Sequence, residues 1–258
     1  MKLPIFQVDA FTDHLFGGNP AAVVLLEKEL PDQTLQAIAA ENNLSETAFV
    51  LPAEGVFGLR WFTPALEVDL CGHATLATAL VLFETGQVSR EVHFMTASGK
   101  LTVEQSGDSL KMDFPALPPQ PAATPRNLGN ALGADPEEVW SARDLLTLFK
   151  TEEEVLSLQP DFLELGRLDA FAVIATAPGE EVDFVSRFFA PKAGIPEDPV
   201  TGSAHSTLTP FWSKRLGKPV LHARQVSRRG GELFCEDRGD RVTIGGKAVI
   251  YLQGEISL

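Results

Sequence analysis

The chain has 258 residues, 44% of them apolar, and a formal net charge of −14. That length holds one large domain or two of ordinary size, and the acidic balance weighs against nucleic-acid binding, which needs a basic footprint. No run of about 18 apolar residues occurs, so no transmembrane helix is expected, and two cysteines far apart, Cys71 and Cys235, supply neither a disulfide framework nor a cysteine metal motif.

The N-terminal stretch MKLPIFQVDAF lacks the apolar core and cleavage site of a signal peptide, and a reducing, cytoplasmic setting is expected. After GGNPAAVV (17–24), the stretch LPDQTLQAIAAENN (30–43) reads as a helix. Glu46 then opens an apolar strand, TAFVL, where by position alone a glutamate is an ordinary solvated strand-end charge. RWFTP (60–64) is an apolar strand closed by a proline. EVDLCGHATLA (67–77) leads into a segment, 72–85, that is apolar nearly all round, the pattern of a buried helix, ending near Gly86. Cys71 stands at that helix's N-terminus, where the backbone lowers a thiol pKa. His73 occupies the first turn; the same N-terminus disfavours an imidazolium, so a neutral, donating ring is expected.

Residues 103–112, VEQSGDSLKM, read as strand, Gly-Asp turn, strand. The segment FPALPPQPAATPR (114–126) is proline-rich and aperiodic, as a linker is. RFFAP (187–191) is a further strand. Asp198 precedes a proline, a turn-favouring position, and its neighbour Glu197 could play the same part. Thr201-Gly202-Ser203-Ala204 opens a second helix, 203–216, with Pro210 inside it predicting a kink or a shorter first segment, and Gly217 beyond its end. In RRGGE (228–232), Arg228 and Arg229 read as surface charges and Gly230 and Gly231 as turn residues. His14, His93, His205 and His222 show no ligand spacing; the role of His205 stays open because it lies within TGSAH.

Laid side by side, the two halves repeat. VEQSGDSLKM aligns without a gap on CEDRGDRVTI (235–244), so that Glu104, Gly107 and Asp108 meet Glu236, Gly239 and Asp240. RWFTP parallels RFFAP, and Cys71-Gly72-His73-Ala74 parallels Thr201-Gly202-Ser203-Ala204. The expected fold is therefore α+β, with two pseudo-symmetric domains at 1–116 and 126–258 and a linker at 117–125. Each domain is a curved, mostly antiparallel sheet wrapped around a central buried helix, and packing of the last strand back onto the first domain is left open. If the pseudo-symmetry turns both helix N-termini toward the domain interface, their free N–H groups and the small residues Gly72, Gly202 and Ser203 would receive a carboxylate there.

GGNPAAVV, NLSETAFV (43–50), EVDLCGHATLA and PEDPVTGSAH (196–205) occur in the order of the signature segments of the PhzF family, named for phenazine biosynthesis, and the chain resembles that family along its whole length. The resemblance implies the diaminopimelate-epimerase fold, a cytoplasmic homodimer, and no cofactor or metal. It also implies an isomerisation in which a proton moves between carbons of a small carboxylate-bearing substrate. By motif it makes Glu46 the acid/base carboxylate, with His73 and Asp198 assisting. It makes Gly72, Gly202 and Ser203 the carboxylate grip and lines the site with Asn19. A carboxyl buried between domains would have a raised pKa, suited to taking and returning a proton.

Two other readings compete. An amino-acid racemase or epimerase of this fold uses a cysteine at the start of each central helix, one for each face of the substrate. Here the helix starts carry Cys71 and Thr201, and a hydroxyl is too weak an acid or base to replace the second thiol. A non-catalytic small-molecule-binding protein would be favoured by loss of Glu46 or Asp198, and both are present.

Overall fold

A computed structural model describes residues 1–53 and 55–258. The chain divides into two compact units, Met1–Asp113 together with Gly245–Leu258, and Phe114–Ile244. The fold is α+β. No helix among the described residues is long and apolar enough to cross a membrane.

In unit 1, Lys2–Ala10 pairs antiparallel with Ala248–Ser257 on one side and with Asn19–Leu25 on the other. Asn19–Leu25 runs parallel to Glu46–Ala53, which pairs antiparallel with Val56–Phe62. That strand also pairs with the short Glu67–Val68 and, in parallel, with Glu91–Thr96. Gly99–Ser106 and Ser109–Pro115 complete the antiparallel run. Between the parallel strands Asn19–Leu25 and Glu46–Ala53 lies the helix Asp32–Asn42, which buries Leu35, Ile38 and Ala39 in a cluster with Phe49 and Phe62. Each of the larger aliphatic side chains contributes roughly 2 kcal/mol by leaving water. Asn43 ends the helix in the left-handed conformation, at φ 49°, its N–H bonded to the Ala39 carbonyl.

The second helix, Gly72–Glu84, is the centre of unit 1, with every residue from Gly72 to Ala79 buried. An apolar environment charges heavily for unpaired hydroxyls. Thr75 and Thr78 answer this by donating to the carbonyls of Cys71 and Ala74, four residues back, at 2.6 and 2.7 Å.

Unit 2 repeats the pairing pattern. Glu138–Ser141 pairs antiparallel with Leu145–Leu148, which runs parallel to Val173–Pro178, itself antiparallel to Phe184–Ala190. Phe184–Ala190 pairs with the short Ile195–Asp198 and, in parallel, with Val220–Gln225, which pairs antiparallel with Gly231–Asp237. The matching turn glycines Gly107 and Gly239 both take positive φ, 64° and 92°.

Two expectations shift here. The central helix of unit 2 spans His205–Leu216 rather than 203–216. Residues 205–207 donate their N–H groups three residues back, to the carbonyls of Gly202, Ser203 and Ala204, so the chain enters through a tight turn. The segment 117–125 lies inside unit 2, and residues 245–258 belong to unit 1. Pro210 supplies part of the reason. Lacking an N–H, it leaves the Ser206 carbonyl without its usual partner, and the Leu117 N–H takes that place at 2.9 Å. Just beyond, Gln120–Pro121 pairs with Trp140–Ser141. The aperiodic prolines therefore mark a segment pinned to its unit.

Candidate active site

Three chain segments of unit 1 bring polar side chains to one buried place. The first is the Gly17-Gly18 turn into Asn19. Gly18 has φ +61°, and a Cβ there would lie 2.1 Å from the Ala10 carbonyl oxygen, so only glycine fits. The second is the start of the strand Glu46–Ala53, where Glu46 stands in register with Ala21 of the parallel neighbour. The third is the N-terminus of the central helix, with Cys71 in an extended conformation just before it.

Asn19, Glu46, Cys71, Gly72 and His73 are all buried. His73 lies between the others. Its Nε2 is 3.1 Å from Glu46 Oε2, an ion-pair contact that is not aligned as a hydrogen bond, since Oε2 has no hydrogen-bond partner among the described residues. On the other side, Nδ1 is 3.3 Å from Asn19 Nδ2 and 3.5 Å from Cys71 Sγ. The Ser45 hydroxyl donates to Asn19 Oδ1 at 3.3 Å. With Nδ1 bare, the ring accepts from Asn19; with a proton there, Nδ1–H is turned toward the Cys71 sulfur.

The expectation of a neutral His73 is corrected by its surroundings. Burial pulls the ring's pKa down, but the neighbouring Cys71 and Glu46 side chains outweigh it and lift the ring well above its ordinary 6.5. Cys71 is driven the opposite way from the helix N-terminus argument. Burial, and then the Glu46 charge, push the thiol above its ordinary range, so the negative partner that holds the His73 proton is Glu46. The arrangement is a carboxylate and an imidazolium side by side, with a protonated thiol as neighbour.

Unit 2 holds its own polar cluster at the corresponding place. Asp198 ends the strand Ile195–Asp198 and is buried; its Oδ2 accepts a hydrogen bond from the Thr201 hydroxyl. Glu197, its rival on sequence grounds, is committed elsewhere. Arg187 grips it through both carboxylate oxygens, at 2.7 and 3.0 Å, and also donates to the Val155 and Leu158 carbonyls. Gly202 and Ser203 form the tight turn into the helix. Arg228 is exposed and Arg229 half-buried.

One residue of this cluster escaped the sequence reading, and the role of a second, His205, was left open by it. Gln225 is fully buried and locks the loop. Its Oε1 accepts from the Thr201 N–H at 2.9 Å, and its Nε2 donates to the Asp198 carbonyl at 2.8 Å and reaches the Thr201 hydroxyl at 3.2 Å. In the sequence it is one polar residue at a strand end, indistinguishable from a surface glutamine. His205 is also fully buried, with Nδ1 2.9 Å from the Thr201 carbonyl and the ring against Phe184, 5.8 Å between centroids. Burial lowers its pKa to about 4, so the ring is neutral and Nδ1–H is the donor. His205 does in unit 2 what the Thr75 hydroxyl does in unit 1, bonding back to the carbonyl at the head of the helix.

Residues 8–254 match the family of phenazine biosynthesis-like proteins, PhzC-PhzF. An uncharacterized isomerase of Pseudomonas aeruginosa is 53% identical over the full length of both chains. The crystal structure of a PhzF-family phenazine biosynthesis protein from Enterococcus faecalis is 49% identical, with a TM-score of 0.98 and full coverage of both chains. The fold is shared more widely. A hydroxyproline epimerase from Agrobacterium vitis superposes with a TM-score of 0.65 at 15% identity, covering 100% of this chain and 93% of the epimerase.

Proposed function

We propose, from the premise that the chain belongs to the PhzC-PhzF family of phenazine biosynthesis-like proteins, that it is an isomerase moving a proton between two carbons of a small carboxylate-bearing substrate, with Glu46 as the single acid/base. The observation that carries this reading is the Glu46–His73 pair, a buried carboxylate 3.1 Å from an imidazole whose proton it holds. Glu46 takes the C–H proton while the bonding electron pair moves into the adjacent unsaturated system. The same carboxyl returns the proton to a second carbon, so substrate and product contain the same atoms and no electrons leave the pair. The His73 imidazolium counters the carboxylate's charge before the transfer and faces the developing anion after it, a role for a fixed charge in a dry site. Asn19 and Gly72 are assigned to substrate binding on the His73 side. Asp198, Gly202 and Ser203 are assigned to the substrate's polar groups through the family motif, and the Thr201 and Gln225 bonds that fix Asp198 suit that role. The same reading makes the protein a cytoplasmic homodimer that acts without a cofactor.

Two-base racemisation is the weaker reading. The thiol it needs at Cys71 is held protonated by burial, and the Thr201 hydroxyl at the matching position is engaged with Asp198 and Gln225.

The experiment is solvent deuterium exchange across a panel of amino-enol and dihydroaromatic acids. Glu46→Gln should lower exchange at least about 100-fold, the usual worth of a positioned acid/base, with ligand binding retained. Retained exchange would overturn the role of Glu46, and racemisation of a free amino acid would favour the two-base enzyme.

A further inference from the structure

The Glu46–His73 pair has a third member that the proton chemistry does not use. One carboxylate oxygen of Glu46, the Cys71 sulfur and one His73 ring nitrogen all lie within 4.8 Å of one another, and all three residues are buried. The sulfur is 3.5 Å from Nδ1 and 4.0 Å from Nε2, and Nε2 is 3.1 Å from Glu46 Oε2. Ligand atoms bound tetrahedrally to zinc at about 2.0–2.3 Å stand roughly 3.2–3.8 Å apart, so the donors need only small side-chain adjustments to close on an ion. Glu46 Oε2 is in addition a buried acceptor with no aligned hydrogen bond. The supporting backbone is rigid, a strand start and a helix N-terminus. A thiolate, an imidazole and a carboxylate form a donor set for borderline-soft cations, and three protein ligands leave a fourth position open, unlike a closed structural zinc site.

We propose that Glu46, Cys71 and His73 form a binding site for a thiophilic divalent cation of the zinc class, and that the bound ion blocks proton transfer by Glu46. On binding, the Cys71 S–H bond and the N–H bond of the coordinating His73 nitrogen break, both protons leave to solvent, and the freed sulfur and nitrogen electron pairs form the bonds to the metal; nothing is oxidised or reduced. The Glu46 electron pair that would take a C–H proton is then committed to the ion. Zinc is here a reversible inhibitor and not a cofactor. The binding stands on the donor geometry alone, whereas the blocking rests on the reading of Glu46 as the base.

The test uses the full-length, chelator-treated protein titrated with Co²⁺, whose bond to a thiolate produces a charge-transfer band in the near ultraviolet. The wild type should bind one Co²⁺ per chain with that band, and Zn²⁺ should displace it. Cys71→Ser should remove the band and weaken binding at least about tenfold, while Cys235→Ser should keep both. A wild type without the thiolate band overturns the site whether or not any variant folds, and so does a band that survives in Cys71→Ser. Zn²⁺ should suppress solvent exchange and a chelator should restore it. Glu46→Gln measured without metal separates the two ideas. Lost exchange in metal-free Glu46→Gln with no cobalt band in the wild type overturns the site and keeps the base, and a wild-type band with exchange intact in Glu46→Gln overturns the blocking and the base together.

Discussion

His205 ties the stability of unit 2 to pH in a way that can be worked through. The ring is fully buried against Phe184 and donates Nδ1–H to the Thr201 carbonyl. Burial lowers its pKa from 6.5 to about 4, with the bond to Thr201 opposing. In the unfolded chain the ring takes up a proton near 6.5, whereas in the folded chain it does so only near 4. The stability that comes with the neutral ring is therefore complete above pH 6.5 and is lost as pH falls from 6.5 toward 4. Integrated over that window, the loss is about 2 kcal/mol by pH 5 and about 3 kcal/mol by pH 4. The control is His205→Asn, whose carboxamide N–H can replace the Nδ1–H bond but does not titrate. Urea unfolding of both proteins at pH 7, 6 and 5 cancels the carboxylate titrations common to both. The stability difference between wild type and variant should shift against the wild type by about 2 kcal/mol between pH 7 and pH 5. A difference that stays constant with pH would refute the burial argument.

Three further outcomes follow from the geometry. Gln225→Ala strands the buried Thr201 N–H and Asp198 carbonyl and should cost about 2–5 kcal/mol by chemical denaturation; a change below about 1 kcal/mol would mean the loop holds itself. Gly18→Ala places a Cβ against the Ala10 carbonyl at a positive φ and should cost more than about 2 kcal/mol, read as a lowered Tm. In Glu46→Gln the His73 ring loses the charge that holds its proton, so its NMR titration midpoint should fall; an unmoved midpoint would transfer that role away from Glu46.

The duplication was readable because it rests on chain-local patterns. The strand closed by a proline, the small tetrad before a helix and the Gly-Asp hairpin recur in one order. The resemblance named Glu46 and His73, but it did not supply their charge states. The neutral ring expected for His73 came from the helix N-terminus acting alone, whereas Glu46 approaches it from a strand many residues earlier. Choosing Asp198 over Glu197 rested on the resemblance; that Arg187, ten residues before Glu197, engages Glu197 is visible only once the strands pair. Gln225 was invisible because a polar residue at a strand end carries no mark of burial. The proline-rich segment was misplaced for a related reason. Its composition says that it forms no helix, not that the Leu117 N–H is needed where Pro210 has none.

The repeat also bears on which chemistry the chain can perform. Both units keep the same framework at the helix head, a residue four positions on that bonds back to the carbonyl of Cys71 or Thr201, through a threonine hydroxyl in one case and an imidazole in the other. Around those carbonyls the side chains have diverged. In unit 1 the helix head sits beside the Glu46 carboxylate and the His73 ring. In unit 2 the matching threonine donates a hydrogen bond to Asp198 and is held by Gln225, so its hydroxyl is part of the scaffold. A two-base stereoinversion needs equivalent proton-handling groups from both halves. The framework has been kept in duplicate while the Glu46–His73 pair stands in one half, which agrees with the single-base isomerase proposed above.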